Sequence, residues 1–284
     1  MTHPRLWAIS DLHLGYRENR AALDALTPRP DDWLIAAGDV GETLAQLRDA
    51  FDRLTDRYAR VIWVPGNHEL WTHPIDTETA ARGVARYRAC VDAARLYGVI
   101  TPEDPYPTFA GHTLVPMFIG YDYTWAPRGI TDVHAWAAED GIAPTDERFL
   151  HPDPHPTLAH WCRARLAYTE DRLSAITGPT VLINHYPLRR DLIRLPRIER
   201  FIPWCGTAAT EDWHRRYHAT VCVHGHLHMR ATDWRDGVRF EEVAIGYPRH
   251  WKVDRGMDAY LREILPGDGI TAPPGGEGGP EWHW

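Results

Sequence analysis

The sequence predicts an α/β layered fold, and three observations lead to this prediction. Several short apolar runs recur along the 284 residues, each bounded by turn residues, as expected for strands that are covered on both faces. Amphipathic segments with a helical period separate the early runs, and this alternation is typical of α/β layers. A hydrophobic content of 44% with 25% charged residues is enough for a sizeable core.

The elements follow in chain order. Strands are predicted at residues 6–9, 33–37, 61–64, 114–119, 180–183, 220–223 and 238–245. Helical spacing of apolar residues predicts a helix within 42–58, and a second helix is expected near 158–176. Between them lies an irregular insertion at about 120–160. Residues 1–265 are predicted to form a single domain, and the Gly- and Pro-rich tail, residues 266–284, is predicted to be disordered.

Composition excludes several classes of protein. The net charge of −8 argues against a nucleic-acid surface based on bulk charge. No window approaches the roughly 20 apolar residues of a membrane span, and the first residues do not resemble a secretory signal. The four cysteines lack paired spacing, which is typical of free thiols in a reducing compartment. A cytoplasmic location, with no membrane partner, is therefore expected.

Polar residues follow five of the predicted strands at the point where each strand ends. They are Asp11 and His13, Asp39, Asn67-His68-Glu69, Asn184-His185, and finally His224, His226 and His228. In layered α/β folds, ligands bind beyond the carboxyl ends of the strands. We therefore expect these side chains to meet at one edge. The alternative for any single site is a turn or cap residue, because Asp, Asn and Gly are common in turns.

The chemistry of this set indicates a metal site. It offers imidazole, carboxylate and amide groups without a thiolate, which excludes a cysteine-type zinc site and suits manganese, iron or zinc in a catalytic site. The set exceeds the needs of one ion, so two divalent ions, about 3.5–4 Å apart and sharing a carboxylate, are expected. Glycines at 38, 66 and 225 each precede a proposed site residue, where a sharp turn or close approach needs a missing Cβ.

The array resembles the signature of the calcineurin-like metallophosphoesterase superfamily over about residues 5 to 230. The resemblance implies a four-layer αββα sandwich of two mixed β-sheets flanked by helices. It also implies an enzyme, a metal-dependent phosphoric ester hydrolase in which a metal-activated water attacks phosphorus. The implied ligands of one ion are Asp11, His13, Asp39 and His228, and those of the other are Asp39, Asn67, His185 and His226.

The same resemblance assigns roles to residues that bind no metal. His68 would face the substrate and protonate the leaving oxygen or stabilise the transition state. Glu42 occupies the position where some members carry the carboxylate that orients this histidine; the alternative is an acid at a helix N-terminus. The next residue, Thr43, replaces the arginine of the Ser/Thr protein phosphatases, which argues against that branch. Glu69 and His224 are expected to support the site rather than bind metal.

A narrower resemblance concerns the substrate. The stretches "PDDWLIAAGDV", "VIWVPGNHELW", "INHYPL", "WCGT" and "DGVRFEEVAIGYPR" are similar to an actinobacterial branch that includes 4′-phosphopantetheinyl hydrolases. These enzymes cut the phosphodiester between phosphopantetheine and a carrier protein. The arginine-rich stretch "PLRRDLIRLPRIER", with Arg189 and Arg190 as predicted substrate contacts, would suit an acidic carrier protein. The alternative is a solvated loop or helix face.

Two other functions remain open at this stage. One is a phosphomonoesterase or nucleotidase acting on small metabolites, and the other is a non-catalytic scaffold. A scaffold would be expected to have lost His68 or several ligands, yet every signature residue is present. Residues 120–160 are expected to shape the substrate pocket, but nothing in them names a substrate.

Overall fold

The computed structural model describes residues 3–267 and 269–283 of the chain. Its strands are β1 Leu6–Ile9, β2 Arg29–Ala36, β3 Tyr58–Trp63, β4 Thr108–Phe109, β5 His112–Pro116, β6 Thr180–Ile183, β7 Ala219–His224, β8 Ala231–Arg235, β9 Val238–Glu242, β10 Arg262–Leu265 and β11 Gly278–Trp282. Its α-helices are α1 Arg17–Asp24, α2 Leu44–Thr55, α3 Asn67–Leu70, α4 Gly83–Leu96, α5 Val133–Ala138, α6 Asp146–Phe149, α7 Leu158–Leu173 and α8 Trp213–Arg216.

The strands form two mixed sheets. One sheet has the order β10-β1-β2-β3, and the other has the order β11-β8-β9-β7-β6-β5-β4. Strands β1, β2 and β3 are parallel to one another, and so are β5, β6, β7 and β9. Parallel neighbours end at the same edge of a sheet, so the loops after β1, β2 and β3 lie together, as do those after β6 and β7.

Alternating side chains divide the core into layers. Inward residues of both sheets, such as Leu6 of β1 and Ile183 of β6, share one buried cluster between the sheets. The opposite faces are covered by helices: Phe51 of α2 packs in one outer cluster and Trp213 of α8 packs in the other. Sheets that face each other and carry helices outside form the four-layer αββα sandwich, which confirms the predicted fold class.

Each predicted strand and helix coincides with an element of the structure, but several of their ends differ from the prediction. The first predicted helix begins at Leu44 rather than at residue 42, because the Thr43 side chain accepts a hydrogen bond from the Gln46 N–H at 3.2 Å and caps it. Glu42 therefore lies outside the helix and its carboxylate is free to reach elsewhere. The insertion is less irregular than expected, since α5 and α6 form within it.

The tail differs from the prediction of disorder. Residues 278–282 form β11, which pairs antiparallel with β8 at the edge of the larger sheet. His283 continues the contact, with its Nε2 lying 2.7 Å from the Thr232 hydroxyl oxygen. A strand edge offers unpaired backbone groups to any extended segment, so a chain rich in Gly and Pro can dock there without a hydrophobic pattern of its own.

Two further expectations concern cysteines and the membrane. Cys90, Cys162, Cys205 and Cys222 are all free and buried, as expected from their spacing. None of the helices in the described ranges has the length and apolar character needed to cross a membrane.

Candidate metal centre

The seven predicted metal ligands come from five loops that meet at one edge of the sandwich. Asp11 and His13 follow β1, Asp39 follows β2, Asn67 begins α3 after β3, His185 follows β6, and His226 and His228 follow β7. Two of the loops are tied together by their backbones, since the Asp11 N–H donates to the Gly38 carbonyl at 2.9 Å and the His13 N–H donates to the Asp39 carbonyl at 2.9 Å. Residues up to 217 positions apart in sequence therefore share one site.

The first group of ligand atoms consists of Asp11, His13 and His228. The His228 Nε2 lies 2.9 Å from the Asp11 Oδ1 and 3.1 Å from the His13 Nε2, and the His13 Nε2 lies 3.9 Å from the Asp11 Oδ1. Ligands placed about 2.0–2.2 Å from a tetrahedral ion are themselves roughly 3.4 Å apart. This triangle therefore has the dimensions of one face of such an ion's coordination shell.

The second group consists of Asp39, His185 and Asp11. The His185 Nε2 lies 3.4 Å from the Asp39 Oδ2, while its Nδ1 lies 2.9 Å from the Ala37 carbonyl oxygen. The Nδ1 N–H donates to that carbonyl, so Nε2 points to the centre of the site, where it can bind a metal ion once it has lost its own proton. A backbone acceptor on the far nitrogen is the usual device for orienting a metal-binding histidine.

Asn67 and His226 complete the predicted set. The Asn67 Nδ2 donates to the Asp146 Oδ1 at 3.0 Å, which leaves the Asn67 Oδ1 buried without a hydrogen-bond partner among the described residues. The Nε2 atoms of His185 and His226 are also buried without a hydrogen-bond partner among the described residues. Buried polar atoms are nearly always satisfied, so unpaired acceptors at one place fit a divalent ion. His226 belongs to none of the three compact groups formed by described residues, and its ring centroid lies 5.2 Å from that of His185.

Backbone strain is concentrated at these ligands. Asp11, His13, Asp39, His226 and His228 have φ values of 55°, 42°, 53°, 71° and 52°. Non-glycine residues rarely adopt this left-handed conformation, and each instance costs about 1–3 kcal/mol. Each strained residue lies in a loop that directly follows a strand of one of the two sheets, which fixes the start of the loop.

Two glycines allow the loops to approach one another closely. A Cβ on Gly66 would lie 2.1 Å from the Asp39 Oδ1, and a Cβ on Gly225 would lie 2.3 Å from the Asp11 Oδ2. Any side chain at either position would displace a carboxylate of the site. The predicted need for a missing Cβ is therefore confirmed at both positions.

The electrostatics of the site favour a bound cation. Burial alone would raise the pKa values of Asp11 and Asp39, but the surrounding histidines outweigh burial and lower both. Burial alone would lower the pKa of His185, but the charges of Asp39 and Asp11 raise it to about 10. His226 responds mainly to burial, which lowers its pKa to about 3. Carboxylates that stay ionised at full burial attract positive charge, whether carried by a proton or by a metal ion.

His68 lies beside the ligands with a defined orientation. Its Nδ1 is 3.1 Å from the Glu42 Oε1, and its backbone N–H donates to the Asp39 Oδ1 at 3.0 Å. Its Nε2 is 3.8 Å from the Asp39 Oδ2, so His68 also falls within a compact group with His13 and Asp39. Burial would lower the pKa of His68, but Asp39 and the bond to Glu42 raise it. Glu42 has the contact that its predicted orienting role requires.

Glu69 supports the site without facing it. Its Oε2 accepts from the backbone N–H groups of Asp39 at 3.0 Å and Gly66 at 2.9 Å, and its Oε1 accepts from Val40 at 2.7 Å. Burial raises the pKa of this carboxyl to about 7. Glu69 thus connects the loop after β2 to the loop after β3, consistent with the expected supporting role.

The replacement Glu69→Ala is expected to lower the free energy of unfolding by about 3 kcal/mol or more, because it leaves three backbone donors buried and unpaired. Urea unfolding of the metal-free protein measures this, with Glu78→Ala as the control. Glu78 is exposed and pairs with Arg48 at the surface, so its loss is expected to cost less than about 1 kcal/mol. Equal losses for the two variants would contradict the role given to Glu69.

The sequence analysis missed two residues of the site. Asp146, in α6 of the insertion, accepts from the Asn67 Nδ2 and from the Trp71 Nε1 at 2.7 Å, and so decides which atom of the Asn67 amide faces the centre. His250 follows the last strand of the predicted set, and its Nδ1 lies 2.9 Å from the His228 Nδ1. Neither belongs to a recognisable motif; the only signal for Asp146 was its place in an insertion expected to shape the pocket.

His224 and the two predicted substrate arginines lie away from the ligands. His224 is buried at the end of β7, where burial lowers its pKa to about 4, and it joins none of the compact groups formed by described residues. Arg189 pairs with Asp191 at 2.9 Å. Arg190 lines a separate hollow with Trp125 and Trp136. The structure therefore does not bring either arginine to the metal centre, because Arg189 is held by its ion pair with Asp191 and Arg190 lies at the separate hollow.

A cavity of about 450 Å³ opens over the ligands. Its floor includes Asp39, Asn67 and His68. Its apolar lining comes from Leu195, Ile198, Phe201 and Leu227, and Tyr247, Arg249 and His250 also line it. The arginine at the cavity is thus Arg249, which the sequence analysis had not selected.

Three comparisons with known proteins show what this chain is similar to. The model of the calcineurin-like phosphoesterase family matches residues 4–230. The acyl-carrier-protein phosphodiesterase PptH of Mycobacterium tuberculosis is 47% identical over 273 residues, which cover 93% of this chain and 84% of that protein. The crystal structure of the phosphopantetheinyl hydrolase PptH from the same organism superposes with a TM-score of 0.87 and 46% identity, covering 95% of this chain and 99% of that one.

Proposed function

The chain belongs to the calcineurin-like phosphoesterase family, and from this premise we propose that it hydrolyses the phosphodiester between 4′-phosphopantetheine and an acyl carrier protein. The observation that carries the proposal is the meeting of the seven predicted ligands at one edge of the sandwich, where four of them, Asp39, Asn67, His226 and His228, line one cavity. Further support is the 47% identity to PptH, which is named for that activity. The cavity is lined by apolar residues as well as by Arg249, which suits a substrate that joins an organic group to a phosphate.

The ligand residues are proposed to hold two divalent ions. Asp11, His13 and His228 would hold one, Asn67, His185 and His226 the other, and Asp39 would contact both. Bound ions of this kind acidify a water molecule and neutralise charge on phosphoryl oxygens. Oxygen and imidazole nitrogen donors accept manganese, iron and zinc alike, so these residues leave the choice among the three open.

His68 is proposed to transfer a proton to the leaving oxygen. The His68 Nδ1 is occupied by Glu42, whereas its Nε2 lies on the side of Asp39 and the cavity. Nε2 is therefore the nitrogen that a substrate can reach. A carboxylate behind the ring keeps the proton on Nδ1 when the histidine is neutral and stabilises the charged form. This arrangement suits a group that must donate a proton and recover it in each cycle.

The test is direct. Protein reconstituted with manganese, iron or zinc is incubated with a holo carrier protein, and mass spectrometry measures loss of the phosphopantetheine group. We expect release of intact 4′-phosphopantetheine and the apo carrier. In parallel, aryl phosphomonoester and phosphodiester substrates are compared. Turnover of the monoester with the holo carrier left intact would contradict the proposal and favour a phosphomonoesterase.

A further inference from the structure

The size of the cavity limits what can enter it. About 450 Å³ is enough for a ligand of drug size but far too small for a folded protein. If the substrate is a carrier protein, as the proposed function states, only its prosthetic arm and the phosphate can reach the ligands. The surface of the carrier around the modified serine must then rest on the edges of the cavity.

Two chain segments form these edges. The first, which we call the 195–201 lip, contributes Leu195, Ile198 and Phe201 to the cavity and exposes 43% of the Ile198 surface to solvent. The second, the 247–250 lip, contributes Tyr247, Arg249 and His250. The Arg249 guanidinium lies over the Tyr247 ring at 4.9 Å and is exposed. A partner seated on the cavity therefore meets an apolar side chain on one lip and a cation on the other.

The arginines near the cavity differ in whether their charge is neutralised. Arg194 forms an ion pair with Asp233 at 2.6 Å, and Arg200 contacts Glu139 at 2.6 Å and Asp140 at 2.8 Å. Arg189, Arg194 and Arg200 are therefore all neutralised by carboxylates of the protein itself. Most of the arginine-rich stretch is therefore unavailable to a partner.

Arg197 and Arg249, in contrast, are not neutralised by a carboxylate among the described residues. Both are exposed, and neither has a carboxylate partner within ion-pair distance among the described residues. Asp39 is the only carboxylate among the described residues that line the cavity, and it lies at the floor. Glu199 of the first lip faces the neighbouring hollow with Arg190 instead. Arg249 thus lines the cavity, Arg197 directly precedes Ile198 of its lining, and neither arginine is neutralised by a carboxylate among the described residues of a protein whose net charge is −8.

We propose that Arg197, Ile198 and Arg249 form the docking surface for an acidic carrier protein. This inference rests on the proposed function. Arginine is enriched at protein interfaces, and the buried core of an interface is apolar. Because the chain as a whole is anionic, localised positive charge at the opening steers a negative partner to that place and raises its rate of association.

The experiment compares two substrates of the metal-loaded enzyme: a holo acyl carrier protein and bis(p-nitrophenyl) phosphate, a small diester that brings no protein surface to the lips. The variant is Arg197→Glu, whose side chain does not line the cavity. Arg88→Glu is the matched control, because Arg88 is exposed on α4 beside a different groove. The quantity measured is the kcat/KM for the carrier divided by the kcat/KM for the small diester.

We expect R197E to lower this ratio by about tenfold or more and to weaken its dependence on salt, since charge steering contributes at least this much. R197K should keep most of the ratio, and R88E should leave it within twofold of the parent. A ratio for R197E equal to that for R88E would overturn the docking surface while leaving the proposed function intact. A parent enzyme that cleaves the small diester but never releases phosphopantetheine would overturn both.

Discussion

Replacing Asp39 by asparagine is expected to remove most of the bound divalent metal and to lower phosphoesterase activity by about two to four orders of magnitude. The carboxylate is buried and lies 3.4 Å from the His185 Nε2. It belongs to two compact groups, one with His13 and His68 and the other with Asp11 and His185. Asparagine keeps the shape but loses the negative charge, and the chemistry that metal ions supply is worth several kcal/mol of the reaction barrier.

The measurement is metal content per chain after gel filtration, followed by kcat with saturating metal. Asp31→Asn is the control, because Asp31 is an exposed carboxylate on β2 of the same sheet. We expect that control to keep its metal and its activity. An Asp39→Asn protein that holds as much metal as the parent would show that Asp39 does not contact both ions.

The second large effect concerns His68. His68→Ala is expected to keep the bound metal but to lower kcat by about 10²–10⁴, the usual contribution of a positioned proton donor. The loss should depend on the leaving group. An aryl ester releases a weakly basic oxygen that needs little protonation, whereas a serine-linked diester releases a strongly basic one. We therefore expect a smaller loss with the aryl substrate.

Two comparisons make this prediction specific. Glu42→Gln keeps a hydrogen-bond acceptor near the His68 Nδ1 but removes its charge, so its loss of kcat should be smaller than that of His68→Ala. Metal content of both variants should equal that of the parent. Equal losses of kcat with aryl and alkyl leaving groups would remove His68 from proton donation, and full activity would remove it from the mechanism altogether.

The fold class and most of the site could be predicted because the sequence signals were local. Short apolar runs mark strands that are buried on both faces, and the polar residue after each run marks its carboxyl end. Since parallel strands end at a common edge, Asp11, Asp39 and His226 could be assigned to one place without any contact being known. The glycines at 66 and 225 indicated the close approach of loops in the same way.

Other features depended on contacts between distant segments. Asp146 orients the Asn67 amide from 79 positions away, and His250 meets His228 from across a loop. The arginine-rich stretch appeared uniformly basic in sequence, yet carboxylates from other segments neutralise Arg194 and Arg200. The tail was predicted to be disordered because its composition lacks a pattern, while the structure pairs its backbone with β8.

The sequence by itself predicted the layered fold and the meeting of polar side chains at one edge, because hydrophobic period and strand-end position are properties of neighbouring residues; the proposed ligand set came from the family resemblance. Only the tertiary structure decided which atom of each ligand faces the centre, which arginines keep an unpaired charge, and where the cavity opens. Those outcomes depend on hydrogen bonds and ion pairs between residues far apart in the chain. Distances of about 3 Å between such residues are fixed by tertiary packing, and the order of residues in the sequence does not specify them.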